Sequence, residues 1–186
     1  MPLVGRQDTN KLCISDSFAF ALQTVITAKH AITNNLTSPL VVSSQYFLDC
    51  RSDSGCTAQY TRKELYESAS PSNRLLPLVG QYPRAETGVR GACAAVSLSS
   101  VSQQANSPKI IDYFTVDEKD AALEKEVRSG PVLAKIYIPK NILQFYTAGV
   151  VSYDMCYNGT GDIYYNTAIT GFTRVGQNGS APSSQL

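Results

Sequence analysis

The sequence predicts an α+β protein of two lobes, because helical periodicity dominates its first half and short β-type runs dominate its second. The chain has 186 residues, of which 43% are hydrophobic, and this is enough to form the core of one globular unit or two small lobes. We expect a helix-rich lobe over residues 1–105 and a strand-rich lobe over residues 106–175. Residues 176–186 are mostly Ser, Gly, Pro and Gln, which predicts a flexible tail.

The first half predicts three helices and one long loop. The first helix runs from Ser17 to about His30, and its apolar residues form one stripe at helical spacing. A second helix is expected from Ser43 or Ser44 to Cys50, and a third over residues 60–67. Residues 68–90 contain three prolines with several Ser and Gly residues, which predicts a loop.

The second half predicts strands around one helix. A charged segment from Asp117 to Arg128 has helical periodicity and is followed by Ser129-Gly130-Pro131, a sequence that ends helices. The expected strands cover residues 109–115, 132–138, 150–153 and 167–172.

Composition argues against several classes of function. The net charge is +1 and no Lys/Arg run is dense enough for phosphate neutralisation, so we do not expect a nucleic-acid partner. There is no run of about 18 apolar residues, which argues against a membrane span. Met1 is not followed by a signal peptide, so we expect either an intracellular protein or a mature or truncated fragment. The chain contains one His and no Cys-x-x-Cys pair, so we expect no metal site and no cofactor.

Cysteines and glycosylation tripeptides give a different indication of compartment. The five cysteines allow two disulfides with one thiol left over, and the residues alone leave the pairing open. Asn-x-Ser/Thr tripeptides at Asn35, Asn158 and Asn178 are compatible with passage through a secretory pathway.

Six segments of the chain carry a pattern of motifs, and in order they are Gln7 to Phe20, Ser43 to Cys50 with Gly55-Cys56, Gln81-Tyr82-Pro83 with Cys93, Gly130-Pro131-Val132, Phe145 to Ser152, and Asn166 to Phe172. In order and position they resemble the motifs of the papain-like (cathepsin-type) cysteine peptidases. The corresponding family motifs are Gln-Gly-x-Cys-Gly-Ser-Cys-Trp-Ala-Phe, a Ser-x-Gln-x-Leu-x-Asp-Cys helix, a Tyr-Pro-Tyr segment, a Gly-Pro-Val strand, a Phe-Tyr-x-x-Gly-Val-Tyr stretch and a final His-Ala-Val segment. The resemblance covers residues 2 to about 175.

The resemblance implies a degenerate catalytic centre. Ser17 stands where the family has its nucleophilic Cys, and Asn166 stands where it has the basic His. These two residues are 149 positions apart, within the roughly 130–150 expected for the papain-type nucleophile and its downstream partners. Gln7 would match the oxyanion-stabilising Gln, but it precedes Ser17 by ten residues where the motif has six. The expectation is a catalytically dead homologue.

The same resemblance implies a disulfide pattern, a compartment and a shape. By family position, Cys13 pairs with Cys56 and Cys50 pairs with Cys93, which leaves Cys156 without a mate. Such bridges imply a secreted protein or one of the lysosomal or vacuolar lumen, the alternative being a component of an intracellular assembly. The strand-rich lobe is expected to be an antiparallel barrel-like structure that lacks its last strands.

The leading functional hypothesis is a non-catalytic pseudopeptidase that acts as a binding or structural module, with a protein partner. A barrel without its last strands exposes an edge that a partner chain could cover. The alternative from another class is a peptide hydrolase with an altered mechanism, which would use Ser17 or Asp16 with a base from elsewhere. A third possibility is that the chain is a fragment of a longer product.

Overall fold

The computed structural model describes residues 17–51, 75–83, 92–93, 107–117, 119–139, 142, 147–148, 151 and 162–173. Within these residues the chain forms helices α1 (Ser17–Thr33), α2 (Ser44–Arg51) and α3 (Asp120–Arg128), and strands β1 (Val132–Pro139) and β2 (Asp162–Ile169). Helices together with an antiparallel strand pair confirm the predicted α+β class.

Helix α1 begins at the predicted residue and ends three residues beyond the predicted end. Phe18 and Leu22 of the predicted apolar stripe are buried, whereas Val25 and Ile26 are half-buried. The helix also buries polar side chains that the stripe did not predict, namely Gln23, Thr24 and Thr27. Burial on more than one face shows that α1 is packed on several sides.

The core lies where α1 and α2 meet the segments around Val42 and Leu76. Its buried side chains are Phe18, Ala19, Leu22, Val42, Phe47, Leu48 and Leu76. The Leu133 side chain of β1 and the Ile110 side chain pack against this cluster while staying partly exposed. A core of this kind supplies the apolar burial that stabilises α1, because propensity alone seldom holds a helix in water.

Strands β1 and β2 pair antiparallel, with Val132 opposite Ile169 at one end and Pro139 opposite Asp162 at the other. The prediction of a strand over residues 132–138 is confirmed. The prediction over residues 167–172 has the wrong bounds, since β2 begins five residues earlier and ends three residues earlier. The partner strand explains the end: Pro131 precedes β1 and cannot donate a ladder hydrogen bond, so pairing stops at Val132 and Ile169.

The prediction of a strand over residues 109–115 is wrong. Lys109 forms one isolated bridge with Leu75, and the Leu76 N–H donates to the Pro108 carbonyl at 2.8 Å. Residues 110–117 have no regular secondary structure and form no strand pairing with the described part of the chain. A β-type sequence forms a strand only where a neighbour completes the ladder.

Helix α3 begins three residues later than predicted and ends as predicted. The Asp117 carboxylate accepts a hydrogen bond from the Lys119 N–H at 3.2 Å, which favours a turn before the helix. At the other end, Gly130 has a φ of 132°, a value that side-chain-bearing residues rarely adopt. The predicted stop at Ser129-Gly130 is therefore confirmed.

Several predictions fall wholly or mainly outside the described residues: the helix over 60–67, most of the strand over 150–153, and the tail. Within the predicted loop over 68–90, residues 75–83 are described and contain a turn and two isolated bridges. The division into lobes at residue 105 stays a prediction. None of the helices in the described ranges is long and apolar enough to cross a membrane.

Candidate functional site

Ser17 is the first residue of α1, and the packing of that helix fixes its position. Only 7% of Ser17 is exposed, and the two residues that follow, Phe18 and Ala19, are fully buried. Because Phe18 belongs to the core cluster, the first turn of α1 cannot shift without disturbing that core. The Ser17 hydroxyl is therefore held at a defined point.

Asn166 lies in the middle of β2, opposite Lys135 of β1. Its backbone N–H donates a hydrogen bond to Ser17 Oγ at 3.1 Å, across 149 residues of sequence. The structure thus brings together the two positions that the resemblance assigns to the nucleophile and the base. The bond uses the backbone of residue 166, so it does not depend on which side chain that residue carries.

The side chain of Asn166 is engaged differently from its backbone. Its Oδ1 atom is buried and has no hydrogen-bond partner among the described residues. A buried carbonyl oxygen without a donor costs about 1–3 kcal/mol. A carboxamide also cannot accept a proton near neutral pH, so residue 166 offers the Ser17 hydroxyl no base.

His30 is the only histidine in the sequence, and it lies near the opposite end of α1. Thirteen residues of α-helix separate it from Ser17, which corresponds to about 20 Å along the axis. Its backbone carbonyl accepts from the Asn34 N–H at 3.1 Å and from Asn34 Nδ2 at 2.9 Å. The His30 imidazole therefore cannot reach the Ser17 hydroxyl.

The family model for papain family cysteine proteases matches residues 4–179 of this chain. This match covers nearly the whole sequence. The chain belongs to the papain family of cysteine proteases. The predicted family and the predicted papain-like fold are confirmed.

Solved papain-family structures show the same fold at low sequence identity. The cysteine protease Amb a 11, a major ragweed pollen allergen crystallised in its proform, matches with a TM-score of 0.60 and 22% identity over 89% of this chain. The Carica candamarcensis cysteine protease CMS1MS2, in complex with E-64, matches with a TM-score of 0.59 and 19% identity over 90% of this chain. The chain spans 46% of the ragweed chain and 72% of the Carica chain. No curated protein matches it in sequence.

A second polar cluster of this papain-family chain connects α2 and the residue before it to Tyr82. Asp49 is buried, and its two carboxylate oxygens accept from Gln45 Nε2 at 2.8 Å and from the Tyr82 hydroxyl at 2.8 Å. The Ser43 hydroxyl donates to the Tyr82 carbonyl at 2.6 Å. The Ser-x-Gln-x-Leu-x-Asp-Cys motif thus places Gln45 and Asp49 one helical turn apart, where they can bond each other.

The disulfide between Cys50 and Cys93 is present, as the resemblance implied. It joins the end of α2 to a segment 43 residues further along the chain. The other implied bridge, Cys13 with Cys56, lies outside the described residues. So does Cys156.

Two polar residues of α1 that the sequence did not single out position the segment next to the core. Gln23 Nε2 donates to the Val42 carbonyl at 2.8 Å, and Thr27 Oγ1 accepts from the Val42 N–H at 3.2 Å. Both backbone groups of a fully buried residue are therefore satisfied from one helix. Their spacing of four residues places both side chains on one face of α1, but the sequence gives no sign that this face is buried.

The remaining candidate site residues divide between the described and undescribed parts of the chain. Asn35 is exposed in the turn after α1. Gln7, Asp16, Asn158 and Asn178 lie outside the described residues.

Proposed function

We propose that this papain-family chain is a non-catalytic pseudopeptidase that acts as a binding or structural module. The observation that carries the proposal is the 3.1 Å hydrogen bond from the Asn166 backbone to Ser17 Oγ. It supports the view that a hydroxyl and a carboxamide occupy the place where a peptidase of this family would keep a thiolate and an imidazolium.

The chemistry of peptide hydrolysis explains why this pair does not suffice. A neighbouring imidazolium stabilises the reactive thiolate and later protonates the leaving amine. A serine hydroxyl needs a base to become an effective nucleophile, and the Asn166 amide cannot act as one. The Ser17 oxygen instead accepts a hydrogen bond, so its place in the fold is that of a link between α1 and β2.

Burial supports the same proposal. Ser17 is 93% covered, since only 7% of it is exposed. Attack on a substrate carbonyl requires the reacting atoms to come within about 3–3.5 Å of each other. A residue buried to this extent leaves little room for a substrate carbonyl to come that close to the Ser17 oxygen.

The proposal also includes a binding role in an oxidising compartment. Exposed apolar side chains in residues 107–117 support a protein partner, because Ile111 is 74% exposed and Phe114 is 67% exposed. The Cys50–Cys93 disulfide supports a secreted protein or one of the lysosomal or vacuolar lumen.

The test of the non-catalytic assignment compares the wild-type protein with Ser17→Ala on a mixed library of peptide substrates. We expect equal turnover at the level of buffer alone, because neither the Asn166 amide nor the distant His30 imidazole can act as a base for the Ser17 oxygen. A trace of contaminating peptidase would contribute equally to both preparations, so the matched variant removes it from the comparison. Turnover that exceeds that of Ser17→Ala would overturn the proposal in favour of the serine hydrolase alternative.

Covalent labelling is a second test of whether the Ser17 hydroxyl is a reactive nucleophile. The Carica protein was crystallised in complex with E-64, and a fluorophosphonate is a general probe of activated serines. We expect neither compound to form an adduct on Ser17 of the folded chain. Peptide mass spectrometry would locate any adduct, and one on the Ser17 oxygen would contradict the proposal even if turnover were undetectable.

The binding role is tested by the mass of the native particle. Native mass spectrometry under thiol-blocking conditions should give a complex heavier than the 20.1 kDa chain, with dissociation returning this chain and a second protein. A longer covalent chain would instead support the fragment hypothesis. A monomer of 20.1 kDa would remove the assembly from the proposal.

A further inference from the structure

Helix α1 ends in a turn whose geometry is set by Asn35. The Asn35 φ is 51°, in the left-handed region that Asn tolerates better than most residues. The Leu36 N–H donates to the Ala31 carbonyl at 2.9 Å, and the Asn35 N–H donates to the Ile32 carbonyl at 3.3 Å. These two bonds form a Schellman motif with Asn35 at its left-handed position. The backbone of the turn is thus fixed by bonds that do not involve the Asn35 side chain.

Two side chains of this turn are exposed to solvent. Asn35 and Thr37 are both exposed, and the side-chain amide of Asn35 makes no hydrogen bond within the described part of the chain. The neighbouring Asn34 differs, because its Nδ2 donates to the His30 carbonyl at 2.9 Å. Of these two adjacent asparagines, Asn35 begins an Asn-x-Thr tripeptide, with Leu36 between it and Thr37.

We propose that Asn35 carries an N-linked glycan. The donor is a lipid-linked oligosaccharide whose reducing-end N-acetylglucosamine is joined to a polyprenyl diphosphate. A bond forms between Asn35 Nδ2 and the anomeric carbon of that sugar, while the bond from the same carbon to the diphosphate oxygen breaks. The polyprenyl diphosphate leaves with the electron pair of the broken bond, and Nδ2 loses one proton. No electrons are gained or lost overall.

The folded chain accommodates this modification. A glycan is bulky and hydrated, and it needs an attachment point that projects into solvent. The exposed turn provides one, and its backbone bonds remain unchanged because they use main-chain atoms only. The turn with Asn35 follows the last residue of α1, whereas Ser17 is the first residue of that helix. About 25 Å along the helix axis therefore separates Asn35 from Ser17. The attachment point at Asn35 therefore lies at the opposite end of α1 from the contact between Ser17 and Asn166.

The test uses the full chain with a cleavable secretion leader, expressed in eukaryotic cells and recovered from the medium. Deglycosylation by peptide-N-glycosidase F in ¹⁸O-labelled water converts a glycosylated Asn into labelled Asp. Trypsin then releases the peptide from His30 to Arg51, which contains no other Asn-x-Ser/Thr tripeptide. We expect the label at Asn35 and none at Asn34, together with a loss of apparent mass on gels after deglycosylation.

Matched variants separate the modification from any effect on folding. Thr37→Ala removes the tripeptide and should lose one glycan from the secreted protein, whereas Thr37→Ser keeps the tripeptide and should lose none. Asn34→Gln should also keep full glycosylation, since it leaves the tripeptide intact. Formation of the Cys50–Cys93 disulfide reports on folding in every variant. An unlabelled Asn35 in secreted wild-type protein, or identical glycosylation of Thr37→Ala and Thr37→Ser, would overturn the proposal.

Discussion

The helical core and the strand region of this chain are held together by different means. In the helical core, formed by α1, α2 and the segments around Val42 and Leu76, polar side chains form hydrogen bonds with backbone atoms distant in the sequence. In the strand region, formed by β1, β2 and residues 107–117, most of the bonding described is the ladder between the two strands. Side-chain identity therefore matters more in the first region than in the second.

The exposure of apolar side chains also differs between the helical core and the strand region. Phe47 in α2 is fully buried, whereas Phe114 in the segment 107–117 is 67% exposed. Within β1, Leu133 and Ile136 are half-buried, whereas Ile138 is buried. The described part of the strand region thus combines buried and exposed apolar side chains, whereas the helical core has the closely packed apolar side chains of a small domain's interior.

The largest expected difference between the helical core and the strand region is the one between the variants Phe47→Ala and Phe114→Ala. Removing the Phe47 ring leaves a cavity among closely packed side chains, so we expect a loss of about 3–5 kcal/mol in the free energy of unfolding. The same substitution at Phe114 removes a mostly solvated ring, and its effect should stay within about 0.5 kcal/mol. Urea unfolding followed by circular dichroism measures both. Equal losses would show that Phe114 is buried in solution and that the two regions do not differ as described.

A smaller effect is expected at the polar contact between α1 and Val42. Gln23→Leu keeps the size of the side chain but removes the amide that donates to the Val42 carbonyl at 2.8 Å. A buried carbonyl left without a donor should lower the free energy of unfolding by about 1–3 kcal/mol.

Thr33→Ala serves as the control for Gln23→Leu, because Thr33 is exposed at the end of the same helix. It should change the free energy of unfolding by less than about 0.5 kcal/mol. A Gln23→Leu variant as stable as Thr33→Ala would mean that the contact does not contribute to the core.

The two regions also differ in how far the sequence could predict them. Helices α1 and α2 follow from local periodicity, so their existence and approximate ends were predicted from residues close together in the chain. Strand β2 and the segment after Lys109 were predicted less well, because a strand ends where its partner ends. The register with β1, and the end of pairing next to Pro131, are relations between residues distant in the chain.

At the candidate site, too, the sequence could not predict which atoms of distant residues make contact. Motif order placed Ser17 and Asn166 at corresponding family positions, but it could not show that the bond between them uses the backbone of residue 166. Gln23 and Thr27 were missed for a related reason. Polar residues on a helix are typical of a solvated face, and only the position of Val42 in space shows that these two face the interior.

The smallest effect is expected where the two regions meet, at the contact between Ser17 and Asn166. Ser17→Ala removes the acceptor of the Asn166 N–H and should cost about 0.5–1.5 kcal/mol in the free energy of unfolding. Asn166→Ala keeps that N–H and removes a carbonyl oxygen with no described partner, so it should cost less than Ser17→Ala.

A double-mutant cycle on these two residues decides whether their side chains act as a pair. Because the bond involves the backbone of residue 166, the losses of Ser17→Ala and Asn166→Ala should add within about 0.5 kcal/mol in the double variant. Urea unfolding of the four proteins measures the sum. A larger coupling energy would mean that the Asn166 amide itself contacts the serine, and the contact between the regions would then depend on side-chain identity, as the helical core does.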